Sequence, residues 1–175
     1  MRLFTAILLN ENVINKISNR QSKLLRLCTG KPVPPQNMHI TLNFIGDTSR
    51  TDDIISAMKK TDYPKFEYNI QGLGRFSQNS GDILWTGIAD KSRIEKLHRQ
   101  LTKGLLSLGF NFEFRPFKPH ITLARKVKIN NNNYYTAKKI FCTEITAYAE
   151  KISLMKSEHQ NNHMIYTEIY SKNLV

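Results

Sequence analysis

Apolar residues recur along this chain with two different periods, and the switches between them mark out short strands and helices. Residues 2–9 form a nearly continuous apolar run and predict a buried strand. Residues 11–28 then place Val13, Ile17, Leu24 and Leu27 on one side of a helix. Pro32, Pro34 and Pro35 interrupt that pattern and lead into a strand from Met38 to Ile45, closed by Gly46-Asp47. A short helix follows over Thr51 to Lys60 with Ile54, Ile55 and Met58, and strands are expected at 66–72 and 82–88 around the polar turn Gln78 to Asp82.

The clearest helical stripe is Ile94, Leu97, Leu101, Leu105 and Leu108, which predicts a helix over 93–108 packed on the core. Ser92 and Glu95 have the spacing of a capping box, and Gly109 stands where a helix-ending glycine belongs. Strands are expected at 110–114 and 119–125, a solvated loop at Asn130 to Asn133, and strands at 145–155 and 164–170 about a turn at 160–162. Strands and helices mix without regular βαβ alternation, so the fold class is α+β with largely antiparallel sheets.

Composition narrows the function classes. With 175 residues and 40% hydrophobic content the chain suffices for one ordinary domain with a real core, or one domain of two small lobes. The formal net charge of +12 points to a polyanionic partner such as nucleic acid, although Lys and Asn are frequent throughout. Cys28 and Cys142 lie far apart with no CxxC spacing and read as free thiols in a reducing cytosol. The apolar run at Met1 to Asn10 is too short for a membrane span, so a soluble, cytoplasmic protein is expected.

The chemistry lies in a repeat. The tetrapeptide His-Ile-Thr-Leu starts at residue 39 and again at residue 120, each time after prolines and inside a strand-like run. On a strand, His39 and Thr41 project to one face while Ile40, Leu42 and Phe44 project to the other, and His120 and Thr122 relate to Ile121 and Leu123 in the same way. Two lobes packed about a pseudo-twofold axis would therefore bring two imidazoles and two hydroxyls onto one small ligand. Neither histidine has a carboxylate or Cys partner at ligand spacing, and His159 with His163 lacks a supporting Cys pair, so no metal site is expected. His98 falls off the apolar stripe of its helix and reads as solvated, and Trp85 reads as core. Gly72-Leu73-Gly74 is too short for a phosphate loop, which disfavours an ATP-dependent ligase.

These motifs resemble those of the two-histidine phosphoesterase superfamily, and within it the RNA 2′,3′-cyclic phosphodiesterases, also called 2′-5′ RNA ligases. The resemblance runs through Arg2-Leu3-Phe4-Thr5-Ala6-Ile7, Pro34 to Leu42, Gly46, Gly81-Asp82-Ile83-Leu84-Trp85, Pro119 to Arg125 and Leu154 to Glu158. It covers nearly the whole chain; the Lys/Asn-rich segment 126–139 is less typical. The resemblance implies a single two-lobed domain with one motif per lobe and the histidines in a central cleft. It implies hydrolysis of a terminal RNA 2′,3′-cyclic phosphate to a 2′-phosphate without metal or nucleotide cofactor, with reversible 2′-5′ ligation as a further capacity. His39 would be the general acid and His120 the general base. The implied partner is RNA bearing such an end, tRNA fragments being one candidate, met by a monomer away from membranes.

From the residues themselves, Thr41 and Thr122 would donate to the phosphoryl oxygens and Arg125 would add a charged fork. Arg125 stands three residues beyond Thr122, so on a regular strand it starts on the wrong face and needs a bulge or the strand end to reach the cleft. The rival readings are a phosphodiesterase for another 2′-linked or cyclic nucleotide and a non-catalytic RNA-end-binding protein.

Overall fold

The computed structural model describes residues 1–112, 116–161 and 163–175. Among them, four helices and nine strands form an α+β fold: β1 Arg2–Leu8, α1 Glu11–Leu24, β2 Thr29–Pro32, β3 His39–Asp47, α2 Thr51–Lys60, β4 Phe66–Phe76, β5 Asp82–Ile88, α3 Ser92–Ser107, β6 Ile121–Lys128, α4 Asn131–Ile140, β7 Ile145–Ala149, β8 Lys151–Gln160 and β9 His163–Asn173. Every strand pairing is antiparallel.

The expected sheets are the two halves of one. The strand order is β7-β4-β5-β6-β3-β1-β8-β9, with β2 attached to β6. It reads as two four-stranded lobes, β9-β8-β1-β3 and β6-β5-β4-β7, meeting where Ile40 of β3 bridges Ile121 of β6. The chain leaves the first lobe after α2 and re-enters it at β8, so the lobes are interleaved in sequence.

One face of the sheet is covered by the helices. Val13, Ile17 and Leu24 of α1, Ile54 and Met58 of α2, Ile94, Leu97, Leu101 and Leu105 of α3 and Ala137 of α4 join Ile40, Ile121 and Leu123 in a single core. Burying each such aliphatic chain contributes about 1.5–3 kcal/mol. The opposite face carries a separate small cluster of Phe4, Ala6 and Met155 with Leu8 and Tyr166. That face holds the site.

Several expectations are corrected. Asn130 to Asn133 is not a loop: Asn130 caps α4, its side chain accepting the Asn133 N–H at 2.8 Å. Ser92 does not cap α3; Lys91 stands at that position, and Asp90 accepts the Ser92 N–H at 2.9 Å instead. Gly109 does end α3 as expected, at φ +79°. The strand expected over 145–155 is two strands divided at Glu150. Residues 110–112 lie outside any strand, while 113 and 114 fall outside the described residues. β2, within the proline-containing stretch after α1, was not foreseen.

Among the described residues, Ile40–Ile121 is the one pairing between β3 and β6, and both side chains are fully buried. Ile121→Ala is expected to lower unfolding free energy by about 2–5 kcal/mol; urea denaturation of the two proteins measures it.

Candidate active site

The register about Ile40 and Ile121 sets His39 opposite Thr122 and Thr41 opposite His120, all four on the face away from the helices. The two imidazoles are close enough that His120 acts electrostatically on His39. Each ring is anchored in the same way. His39 Nδ1 donates to the Asn37 carbonyl at 2.8 Å, and His120 Nδ1 donates to the Lys118 carbonyl at 2.7 Å. A carbonyl can only accept, so the Nδ1 atoms carry hydrogen and the Nε2 atoms are left for chemistry. His39 Nε2 lies 2.9 Å from Thr41 Oγ1; with neutral His39 the Thr41 hydroxyl donates this bond.

Aromatic walls repeat the symmetry. His39 lies 4.9 Å from Phe4 and 5.3 Å from Tyr166; His120 lies 5.0 Å from Phe76 and 5.7 Å from Trp85. Trp85 is thus part of the site wall and not of the main core, and the Lys118 ammonium sits 4.5 Å from its ring centre. The indole is buried at 8% exposure, and its Nε1 has no hydrogen-bond partner among the described residues. It lies across Gly74, where a Cβ would fall 2.2 Å from the indole. His98 is also corrected: its ring stacks on Phe117 at 3.8 Å and 4°, steadying the segment that supplies the Lys118 carbonyl.

Arg125 reaches the cleft through a bulge. β6 pairs Trp85 with Thr122 and then Leu84 with Ala124, so Leu123 is an extra residue and the alternation reverses after it. Leu123 and Ala124 both stay in the core, and the alternation then brings exposed Arg125 out on the histidine side, near enough to act electrostatically on both rings. β3 does the same at Leu42, between the Ala6–Thr41 and Thr5–Asn43 pairs. In that lobe the residue delivered beyond the bulge is Phe44, 68% exposed and 6.0 Å from Phe4. The β6 bulge is held by buried Gln21 of α1, whose Nε2 donates to the carbonyls of Leu123 at 2.7 Å and Val33 at 2.8 Å.

Both histidines are held below the usual imidazole pKa. Burial pushes His39 down to about 4; the bond to Asn37 opposes this, and the charges of His120 and Arg125 add to it. His120 is lowered by burial too, with Arg125 and Lys118 adding and the Lys118 carbonyl opposing. Burial and nearby positive charge thus both favour the neutral form of the two imidazoles. Among the described residues, no group of three or more His, Cys, Asp or Glu is gathered at metal-binding distance. Two surface hollows, of about 440 Å³ beside α3 and about 610 Å³ at the start of α4, include neither motif histidine.

All five expected site residues lie on β3 and β6 or immediately before them. Sequence reasoning missed Lys118, Gln21 and the four aromatic walls. For Gln21 and Lys118 the role depends on backbone carbonyls, which leave no trace in residue type.

Each half of the sheet thus presents one imidazole and one hydroxyl to a shared cleft, the arrangement expected of the paired His-x-Thr motifs. The chain belongs to the 2′-5′ RNA ligase superfamily, whose family model matches residues 12–161. It is 34% identical over 131 residues to an RNA 2′,3′-cyclic phosphodiesterase of Thermotoga maritima, covering 71% of this chain and 70% of that protein. It is 31% identical to the protein of that name from Thermus thermophilus, covering 72% and 69%. The crystal structure of E. coli LigT in apo form shares the fold at TM-score 0.79 and 23% identity, covering 99% of this chain and 96% of that one.

Gly74→Ala is expected to drive the Trp85 indole off β4, since the 2.2 Å approach cannot be absorbed. Trp85 is the sole tryptophan, so its emission maximum reports the move directly; an unchanged spectrum would contradict this packing.

Proposed function

We propose that this protein hydrolyses a terminal RNA 2′,3′-cyclic phosphate to a 2′-phosphate, using His39 as general acid and His120 as general base. The observation that carries the reading is the matched pair of Nε2 atoms, each backed by a backbone carbonyl and facing one cleft. The activity of the named relatives fits the same site.

On this reading His120 Nε2 takes a proton from water as the water oxygen bonds to phosphorus. The P–O3′ bond breaks, and His39 Nε2–H delivers a proton to the departing ribose oxygen. Charge growing on the phosphoryl oxygens is met by Arg125 and the threonine hydroxyls. Protonating His39 has a second effect. Nε2 then becomes a donor, so Thr41 no longer gives its hydrogen to the ring and can turn it toward the phosphate.

His39 must be charged to act as acid, yet its burial and the neighbouring positive charges discourage that charge. The anionic phosphate supplies the counter-charge and raises both imidazole pKa values on binding. Protonation is thus coupled to substrate arrival. The converging groups are imidazoles, hydroxyls and a guanidinium, all able to act without a metal. The two lobes would work as one unit, in a monomer, because each supplies one proton-transfer group. The unpaired thiols Cys28 and Cys142 fit a cytoplasmic setting.

The direct test is incubation of RNA ending in a 2′,3′-cyclic phosphate with the protein in excess EDTA, resolving products by phosphate position. Accumulation of 2′-phosphate is expected, with His39→Ala and His120→Ala each losing about 10²–10⁴-fold. Turnover that survives both substitutions, or binding without turnover in the unaltered protein, would overturn the reading. Because kcat/KM follows the free protein, its bell should centre below the usual imidazole pKa of about 6.5, while the kcat bell should lie higher. A kcat/KM optimum on the alkaline side would contradict the assignment.

A further inference from the structure

Beyond the cleft, β6 continues as a run of exposed cations. Arg125, Lys126 and Lys128 are exposed, and β2 lays exposed Lys31 beside Arg125 and Thr29 beside Lys128 in register. None of these residues forms an ion pair with a described carboxylate. From Arg125 to Lys128 the line covers at most ~10 Å at ~3.3 Å per residue, shortened where Lys126 bends the strand at φ +53°. It ends in the hollow of about 610 Å³ at the start of α4, whose lining includes Arg26, Thr29, Lys128, Asn130 and Asn133. That volume lies within the ~300–1,000 Å³ of small-ligand sites. The hollow combines two cations with hydroxyl and amide groups, and Asn133 is held in place by its bond to the Leu27 carbonyl at 2.9 Å.

We infer that this β2–β6 ridge and the hollow at its end bind the body of the RNA strand, on the 5′ side of the reacting terminus. The inference rests on the hydrolase reading for its direction, since Arg125 is shared between the cleft and the near end of the ridge. Charge complementarity selects the occupant: a row of cations spaced along an extended edge suits successive phosphates, and the amides at its end suit base edges. A mononucleotide is too short to occupy the cleft and the hollow together. The protein should therefore distinguish an oligonucleotide end from a free cyclic nucleotide through KM, not through the chemical step.

The experiment compares unaltered protein with the triple variant Arg26→Gln, Lys31→Gln and Lys128→Gln on two substrates, a short RNA oligomer with a 2′,3′-cyclic phosphate end and 2′,3′-cyclic AMP. The variant should show a raised KM on the oligomer with kcat retained, and little change on the mononucleotide. Binding of the same oligomer with a plain 3′-hydroxyl end, followed by fluorescence anisotropy, needs no turnover and so reads the ridge even if the hydrolase reading fails. There the plot of log affinity against log salt should flatten by about 2 in the variant, roughly 0.7 for each lost phosphate contact. Unchanged oligomer binding would overturn the ridge, and so would an equal loss on both substrates. Equally effective competition by a polyglutamate peptide of matching charge would reassign the surface to an acidic protein partner.

Discussion

The antiparallel bridge between Ile40 and Ile121 is the constraint on which the rest of the molecule depends. It is small, yet it joins two four-stranded half-sheets into one surface. Because successive side chains on a strand alternate, burying this isoleucine pair under the helices obliges His39, Thr41, His120 and Thr122 to face the other way. The segment before β6 adds the Lys118 carbonyl that fixes the His120 ring. The core and the site are opposite sides of the same two strands, so the free energy that packs one also positions the other.

Alternation alone would give a site without Arg125. The extra residue at Leu123 supplies what a regular strand cannot, placing two consecutive residues in the core and turning the next to the cleft. The Leu123 carbonyl accepts the Val33 N–H at 2.9 Å and a second bond from buried Gln21 of α1, whose Nε2 also donates to the Val33 carbonyl, so one amide in the helix layer ties the bulge to the segment after β2. The matching bulge at Leu42 shows that the irregularity belongs to the duplicated unit. Its two copies then diverge in cargo, Arg125 in one lobe and Phe44 in the other. Both histidines keep aromatic walls, and the second lobe adds a charged residue where the first adds another ring.

This arrangement explains what could be read from residue order. The His-x-Thr alternation and the core stripes of α1, α2 and α3 are periodic signals, and the structure follows them closely. α2 and β5 have the expected bounds. Misreadings occur where one residue type serves two purposes. Asn130 to Asn133 looks like loop by composition, but an asparagine is also a helix cap, and Tyr134 and Ala137 behind it carry a weaker stripe. Trp85 alternates like a core residue, yet its strand is apolar on both faces because the cleft has aromatic walls. β2 is short, contains glycine and proline, and exists only because β6 runs on past its contact with β3. His98 lies off the apolar stripe and still finds Phe117, a partner supplied by a distant segment.

Charge ties these pieces together. A basic chain attracts polyanions from a distance, but burial first, and nearby positive charge after it, hold both imidazole pKa values down. If His39 is the acid, the protein rests in a form that cannot complete the reaction, and only a ligand bringing negative charge between Arg125 and the two histidines relieves the restraint. A neutral molecule of the right shape would meet an acid still lacking its proton. Selection for a phosphodiester would then operate twice, once in attraction along the basic surface and again in the proton that its arrival allows His39 to hold. That coupling asks little of the fold beyond what the Ile40–Ile121 bridge and the Leu123 bulge already impose: two rings buried against aromatics, their Nδ1 atoms tied to carbonyls, and one guanidinium turned inward.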